Sequence, residues 1–182
     1  MNTLLNKQKN VCPKKNLKDS IYVNRGETHM IKVTPSQIKK IIKIIRFCEQ
    51  HYNAETFAHA MRVACIGTTL SNQEDRGNLF VIALCHDLIE DTDVTTTDLH
   101  ILLGDDCPSE NYGNCVRYIE QLTRSKETET YQEYIKRIKE KGDCCTKIIK
   151  IADLKDHLEQ KDSLKESLKD RYVNALCELL GE

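Results

Sequence analysis

Residues that interrupt helices are scarce in this chain of 182 amino acids, which has only 7 glycines and 3 prolines. The alternation of polar and apolar residues that is typical of half-buried strands is equally scarce, and we find no internal repeat or low-complexity tract. One domain with a proper core fits this length. The composition therefore predicts a single all-α domain.

Long apolar runs are also lacking, so the chain has no candidate for a segment that crosses a bilayer. Residues 1–18 are rich in Lys and Asn and lack the apolar stretch of a signal peptide. We expect an intracellular, cytoplasmic protein that does not bind membranes. The net charge is -1, with basic and acidic residues interspersed, which argues against general attraction to nucleic acid.

Cysteine is the exception to this scarcity, with nine residues. An odd count without an export signal argues against a disulfide framework, and Cys65 and Cys85 fall inside apolar helical patterns. We expect mostly reduced core residues. Cys144 and Cys145 lack a second pair at zinc-knuckle spacing.

Apolar periodicity divides the chain into a polar N-terminal arm, residues 1–30, and a helical bundle, residues 31–182. Within the arm, residues 21–23 could pack as an extended segment. The first helix should start at Thr34-Pro35-Ser36, and Asn53 should cap a second that ends near Leu70. A third, apolar on all sides in its middle, is predicted over residues 75–90. Five more are predicted near residues 95–103, 114–124, 130–141, 144–160 and 163–180, with a loop over 104–113.

Four residues in this pattern could bind one metal ion: His59, the adjacent His86 and Asp87, and Asp153. Asp87 and Asp153 each border an apolar helical segment, where an unpaired carboxylate is costly to desolvate. A shared divalent cation would compensate both, and a structural network with Lys or Arg is the alternative. Nitrogen and oxygen ligands without thiolate favour manganese, iron or magnesium over structural zinc. We expect Mn²⁺, with other divalent ions left open.

A second acidic pair, Glu90 and Asp91, follows His86 and Asp87 by four residues. On a helix this spacing places the two pairs on one face, where the second pair could orient or activate an attacking water. A solvated helix end is the alternative interpretation.

The order of His59, His86-Asp87 and Asp153 resembles the H…HD…D signature of the HD-domain phosphohydrolases. Residues 83–92, Ala-Leu-Cys-His-Asp-Leu-Ile-Glu-Asp-Thr, are similar to the hydrolase motif of the RelA/SpoT group and its small alarmone hydrolases. Residues 149–153 and Leu122-Thr123-Arg124 are similar to further segments of that group. The resemblance covers about residues 35–180. It implies an HD-type helical domain in which the four ligands hold Mn²⁺ and the pair matching Glu90 and Asp91 acts on the attacking water.

Arg62 follows His59 by three residues, and Lys150 precedes Asp153 by three, so each should lie about one helical turn from a proposed ligand. We expect both side chains to bind phosphate. Arg124 and Lys126, with Tyr131 and Tyr134, could form another wall of the pocket, although these tyrosines could equally pack in the core.

Two segments depart from the alarmone-hydrolase pattern. Residues 55–61 lack the basic residues and the Tyr-x-x-His-Pro form around the first ligand, and Asp156-His157 stands where the group tends to have His-Asn. Those positions help to hold the nucleotide in the group, so His157 is a further substrate-binding candidate. The departures limit the expectation to hydrolysis and leave the identity of the alarmone substrate open.

Three functions remain in competition at the level of sequence. The first is a manganese-dependent phosphohydrolase resembling a guanosine 3',5'-bis(diphosphate) 3'-pyrophosphohydrolase. The second is an HD-type 5'-nucleotidase or another nucleotide phosphatase. The third is a non-catalytic nucleotide-binding regulatory module, which would have no need for Glu90 and Asp91. The expected partner is a small-molecule nucleotide, and a homo-oligomer is left open.

Overall fold

The structure, a computed structural model, describes residues 21–23, 31–71, 76–104, 113–160 and 164–181. Helices dominate these residues, which confirms the all-α prediction. Their bounds are α1 Pro35–His51, α2 Ala54–Leu70, α3 Arg76–Leu84, α4 Leu88–Asp91, α5 Thr96–Gly104, α6 Gly113–Leu122, α7 Tyr131–Lys141, α8 Cys144–Glu159 and α9 Glu166–Leu180.

The chain divides into two compact units, Met1–Lys39 and Lys40–Glu182. In the first, strands β1 (Ile21–Val23) and β2 (Ile31–Val33) pair antiparallel, with Tyr22 opposite Lys32. The extended segment expected at residues 21–23 is therefore present as a strand. The domain boundary expected after residue 30 stays a prediction, and the rest of the expected arm, like most of the expected 104–113 loop, lies outside the described residues.

The second unit is built around α2, which packs against both α3 and α8. Asn53 caps α2 as predicted, because its side-chain oxygen accepts hydrogen bonds from the backbone N–H groups of Glu55 and Thr56 at 3.0 and 2.9 Å. Small residues let α2 and α8 approach closely: a Cβ added at Gly67 would lie 3.8 Å from the Cβ of Ala152. This close approach brings the helices that carry His59 and Asp153 together.

The prediction of one continuous helix over residues 75–90 is wrong. Helix α3 ends at Leu84, and a turn of three residues separates it from α4. In that turn the backbone N–H of Cys85 is shared between the carbonyls of Val81 and Ile82, and the N–H of Leu88 reaches back only three residues to the carbonyl of Cys85. This tightening ends the α-helical pattern and turns the chain at His86 and Asp87. The remaining helices lie close to their predicted positions.

The described cysteines are all free thiols. Cys85 is buried in the core, as expected, and its Sγ lies 3.7 Å from that of Cys48 on α1. Cys65 is exposed on α2, so its assignment to the core is wrong. The helices that the structure describes include none with the length and hydrophobicity to span a bilayer.

Gly142 joins α7 to α8 and leaves no room for a side chain. A Cβ built on it would lie 2.4 Å from the carbonyl oxygen of Ile138, which is backbone and cannot move without distorting α7. We therefore expect Gly142→Ala to lower the free energy of unfolding by about 1–3 kcal/mol, the usual cost of forced overpacking. Urea denaturation followed by circular dichroism measures it.

Gly104→Ala is the matched control, because a Cβ at Gly104, the last residue of α5, meets nothing within 4 Å. It should be neutral or stabilise by up to about 1 kcal/mol. Equal stability of the two variants would contradict the close contact at Gly142.

Candidate metal centre

The turn after α3 fixes the orientation of the His86 imidazole. Its Nδ1 lies 2.8 Å from the carbonyl oxygen of Ala83. Because a carbonyl can only accept, Nδ1 carries the hydrogen, and a neutral ring then presents the lone pair of Nε2. That Nε2 lies 3.0 Å from Oδ2 of Asp87, the next residue in the turn. The turn thus directs a potential metal-ligating nitrogen and a carboxylate to one point.

A carboxylate from α8 orients the second imidazole in the same way. Nδ1 of His59 lies 2.8 Å from Oδ2 of Asp156. The Arg62 guanidinium donates to both oxygens of this carboxylate, from Nε to Oδ1 at 2.7 Å and from Nη2 to Oδ2 at 2.9 Å. Burial opposes ionisation of Asp156, but its bonds to Arg62 and His59 outweigh burial and lower the pKa of this carboxyl. Nδ1 of His59 therefore donates, and Nε2 is left to ligate.

The two imidazoles converge on Asp153 of α8. Nε2 of His59 lies 3.2 Å from Oδ1 of Asp153 and 3.7 Å from Oδ2 of Asp87, and Nε2 of His86 lies 3.9 Å from Oδ1 of Asp153. Ligands that bind one ion at about 2.0–2.2 Å are separated by roughly these distances. The structure thus brings all four predicted ligands together from α2, the turn after α3, and α8.

Three of these ligand atoms are buried and make no hydrogen bond of acceptable geometry: Nε2 of His59, Nε2 of His86 and Oδ1 of Asp153. A buried polar atom without a partner is costly, and three of them facing one point call for a common partner. The donor set, two imidazole nitrogens and carboxylate oxygens, suits a divalent cation. These residues therefore fit a metal ion.

The electrostatics of the cluster also favour a cation. Burial lowers the pKa of His86, but the carboxylates of Asp87 and Asp153 outweigh burial and raise it to about 10. Burial by itself would raise the pKa of Asp153, yet Lys150 and the surrounding imidazoles hold it well below its usual range. The two carboxylates thus remain ionised and create a negative potential between the histidines.

The predicted catalytic pair lies beside this cluster on α4. Glu90 and Asp91 line the same cavity as Asp87 and Asp153, with a volume of about 210 Å³. Both carboxylates also approach Lys126, whose Nζ lies 3.2 Å from Glu90 and 3.6 Å from Asp91. Burial and the Asp87 charge raise the pKa of Asp91.

Comparison with known proteins gives a family. Residues 56–160 match the model of the HD domain, which is more than half of the chain. The chain belongs to the HD domain family. No curated protein sequence matches it significantly.

A solved structure has the same fold. Its TM-score is 0.58 at 20% sequence identity, and the match covers 78% of this chain and 85% of the other. That protein is described as a metazoan ortholog of SpoT that hydrolyzes ppGpp and plays a role in starvation responses. The resemblance to HD-domain phosphohydrolases found in the sequence is confirmed. The HD-domain match and this neighbour support a metal-dependent phosphohydrolase, and HD domains bind divalent metals.

The predicted substrate-binding residues fall on two sides of the HD-domain centre. Lys150, Arg124 and His157 line the 210 Å³ cavity. Lys150 is paired with Asp153 at 2.6 Å, and Nε2 of His157 lies 3.2 Å from Asp153 Oδ1. Arg62 instead lines a neighbouring cleft, where Asp156 engages its guanidinium. A role in substrate binding stays a prediction for all four.

Sequence reasoning missed three residues of this site. Asp156, noted only as a departure from the alarmone-hydrolase pattern, orients His59; its spacing of three residues from Asp153 was the available signal. Arg171 and Tyr172 on α9 also line the cavity, and the ring of Tyr172 stacks on His157 with centroids 5.0 Å apart. Nothing in their local sequence marks α9 as part of the site, because only the packing of α9 against α7 and α8 brings it there.

The Asp156 carboxylate should strengthen metal binding although it is not itself a proposed ligand, because it holds Nδ1 of His59. We expect Asp156→Asn to weaken Mn²⁺ binding about 10- to 100-fold, the usual cost of losing the carboxylate that orients a ligating histidine. Isothermal titration calorimetry of the metal-free protein measures this affinity. Asp170→Asn, the same change at an exposed position of α9, is the control and should bind Mn²⁺ like the wild type. Unchanged affinity in folded Asp156→Asn would show that His59 does not depend on this bond.

Proposed function

We propose that this HD domain is a manganese-dependent nucleotide phosphohydrolase with guanosine 3',5'-bis(diphosphate) as its first candidate substrate. His59, His86, Asp87 and Asp153 are the proposed ligands. Three buried ligand atoms that lack a hydrogen-bond partner lie close together, and this observation carries the assignment. Mn²⁺ is favoured because the ligand set holds nitrogen and oxygen but no sulfur.

A divalent ion at this centre supplies a Lewis acid for the phosphoryl oxygens and makes water a better nucleophile at neutral pH. The protein's own part is to position these groups. His86 and His59 are held in one tautomer by Ala83 and Asp156, so their ligating nitrogens are preorganised.

Glu90 and Asp91 are the proposed groups that orient the attacking water and accept its proton. Both face the cavity beside the centre, and Glu90 is fixed at two points, by the Lys126 ammonium and by the backbone N–H of Arg124 at 3.2 Å. A carboxylate held in this way can take a proton without first reorganising. On the other side, the Lys150 ammonium, which is paired with Asp153 at 2.6 Å, lines the same cavity and is the proposed contact for the charge that develops on the phosphate.

The proposed substrate is supported by a different observation from the one that supports the chemistry. The structural neighbour acts on ppGpp, which makes the alarmone the first nucleotide to try. The residues at which the sequence departs from the alarmone-hydrolase pattern have other partners here, since Asp156 binds His59 and His157 stacks on Tyr172. For this reason an HD-type 5'-nucleotidase or another nucleotide phosphatase is the second candidate.

The reaction products separate these two functions. With Mn²⁺, the protein should release pyrophosphate from guanosine 3',5'-bis(diphosphate), and ion-exchange chromatography resolves the products. Asp87→Asn and Asp153→Asn should each abolish this release, because each removes a proposed ligand. Release of inorganic phosphate from other nucleotides would favour the phosphatase. Full activity in either folded variant would refute the assignment of the centre.

The role of Glu90 has a separate test. Glu90→Gln should lower kcat by about 10²- to 10⁴-fold, the usual contribution of a general acid or base, while Mn²⁺ affinity changes little because Glu90 is not a proposed ligand. Glu120→Gln on the exposed side of α6 is the control and should retain wild-type kcat. If Mn²⁺ affinity fell in parallel with kcat, Glu90 would be a ligand rather than a base.

A further inference from the structure

His157 faces the carboxylate of Asp153 from the next turn of α8. The two residues are four positions apart, which places them on one face of the helix. Nε2 of His157 lies 3.2 Å from Oδ1 of Asp153, and Nε2 of His59 approaches the same oxygen at the same distance. A third imidazole therefore reaches the oxygen on which His59 and His86 already converge.

The contact between His157 and Asp153 does not have the geometry of a hydrogen bond. Oδ1 of Asp153 is buried and has no hydrogen-bond partner among the described residues, although Nε2 of His157 lies within reach of it. The direction of approach is therefore unsuitable, since the distance alone would allow a bond. Two neighbouring ligands of one cation, each bound at about 2.0–2.2 Å, lie roughly this far apart. The contact thus fits a pair of ligands better than a donor and its acceptor.

Ring contacts on both sides hold the His157 imidazole in place. Its ring stacks on that of His59 with centroids 4.7 Å apart, and on that of Tyr172 with centroids 5.0 Å apart. Tyr172 comes from α9, so the packing of α9 against α8 supports this position. The imidazole is therefore already placed beside the centre, and binding an ion would require little reorganisation of it.

Two sets of three side chains among the described residues have ligand atoms close enough together to hold an ion: His59, His86 and Asp87, and His59, Asp153 and His157. The sets share His59, whose Nδ1 is bound to Asp156. The remaining nitrogen, Nε2, has one lone pair and so can ligate only one ion. Both sets therefore surround a single ion rather than two.

The other histidines that the structure describes outside the centre lack this arrangement. His51 lies 3.5 Å from the carboxylate of Asp93, which is 92% exposed, and His100 is exposed on α5. Neither belongs to a group of described side chains that could hold an ion. The position of His157 is thus distinct from that of an ordinary surface histidine.

We propose that His157 is a fifth protein ligand of the divalent ion at the HD-domain centre, together with His59, His86, Asp87 and Asp153. The alarmone-hydrolase pattern tends to have asparagine where this chain has His157, so the fifth ligand is a property of this chain and not of that group. The inference rests on the metal centre of the proposed function and deepens it. It also gives His157 a role other than the substrate binding predicted from the sequence.

A third imidazole changes the ion preference of the centre. Imidazole nitrogens suit the later first-row ions, whereas Mg²⁺ prefers oxygen ligands. Affinity for nitrogen ligands rises from Mn²⁺ to Co²⁺, so each added nitrogen strengthens Co²⁺ binding more than Mn²⁺ binding. Removing the His157 imidazole should therefore weaken the binding of Co²⁺ more than that of Mn²⁺.

Pulsed electron paramagnetic resonance of the Mn²⁺-loaded full chain counts the imidazole nitrogens that bind the ion directly. The parent should show three, and His157→Asn should show two. Isothermal titration calorimetry should also show a loss of Mn²⁺ affinity of at least about 10- to 100-fold, the cost of losing even an outer partner of a ligand, and a larger loss for Co²⁺. His100→Asn, the same change at an exposed histidine, should match the parent in both measurements.

The nitrogen count decides the proposal, because loss of affinity alone does not separate a ligand from a group that orients one. The proposal is wrong if the parent shows only two bound imidazole nitrogens, if folded His157→Asn shows as many as the parent, or if the parent binds no Mn²⁺. His157 is partly exposed, so the variant is expected to fold, and the count in the parent remains decisive if it does not. The proposed function fails separately, when Mn²⁺-loaded protein with three bound imidazoles turns over no nucleotide.

Discussion

The carboxylate of Asp153 lies almost fully buried on α8, where an unpaired charge costs on the order of several kcal/mol. The side chains that compensate this negative charge come from several parts of the chain and surround the carboxylate. Lys150, one turn earlier on the same helix, pairs with Oδ2, and the imidazoles of His59, His86 and His157 surround Oδ1. A protein that needed only stability would place an apolar residue here, since well-packed apolar groups often match or exceed a buried ion pair. The buried charge is thus best explained by function.

The scaffold around this charge is apolar and closely packed, and it serves to hold polar groups at fixed positions. Helix α3 is buried on most of its surface, so the turn that follows it has little freedom to move. The approach of α2 and α8 at Gly67 and Ala152 sets the separation of His59 and Asp153. Helices α2 and α8 and the buried turn after α3 therefore supply the proposed metal ligands, whereas the loop after α6 supplies Arg124 and Lys126, the cations predicted to contact the substrate.

Much of this could be predicted from the sequence, for identifiable physical reasons. Helix periodicity and the cap at Asn53 predicted α1 and α2, and the cost of burying Asp87 and Asp153 indicated the cluster. The break after Leu84 could not be predicted, because the apolar pattern continues through it and nothing in that pattern marks the tightened backbone hydrogen bonds of Cys85 and Leu88. Arg171 could not be predicted either, since its place in the cavity depends on how α9 packs. Local sequence patterns predict individual helices, but they do not predict which helices pack against each other.

Helix α4 has only four residues, too few to be stable through its own hydrogen bonds. The direction of its Glu90 side chain therefore depends on outside contacts, among them the backbone N–H of Arg124, which donates to Oε2. The residue that bonds to the carboxylate through its backbone also faces the cavity through its guanidinium. A ligand bound to this guanidinium would therefore contact the same residue that holds the proposed base through its backbone. In the proposed mechanism, substitutions in this loop are expected to alter turnover without removing a metal ligand.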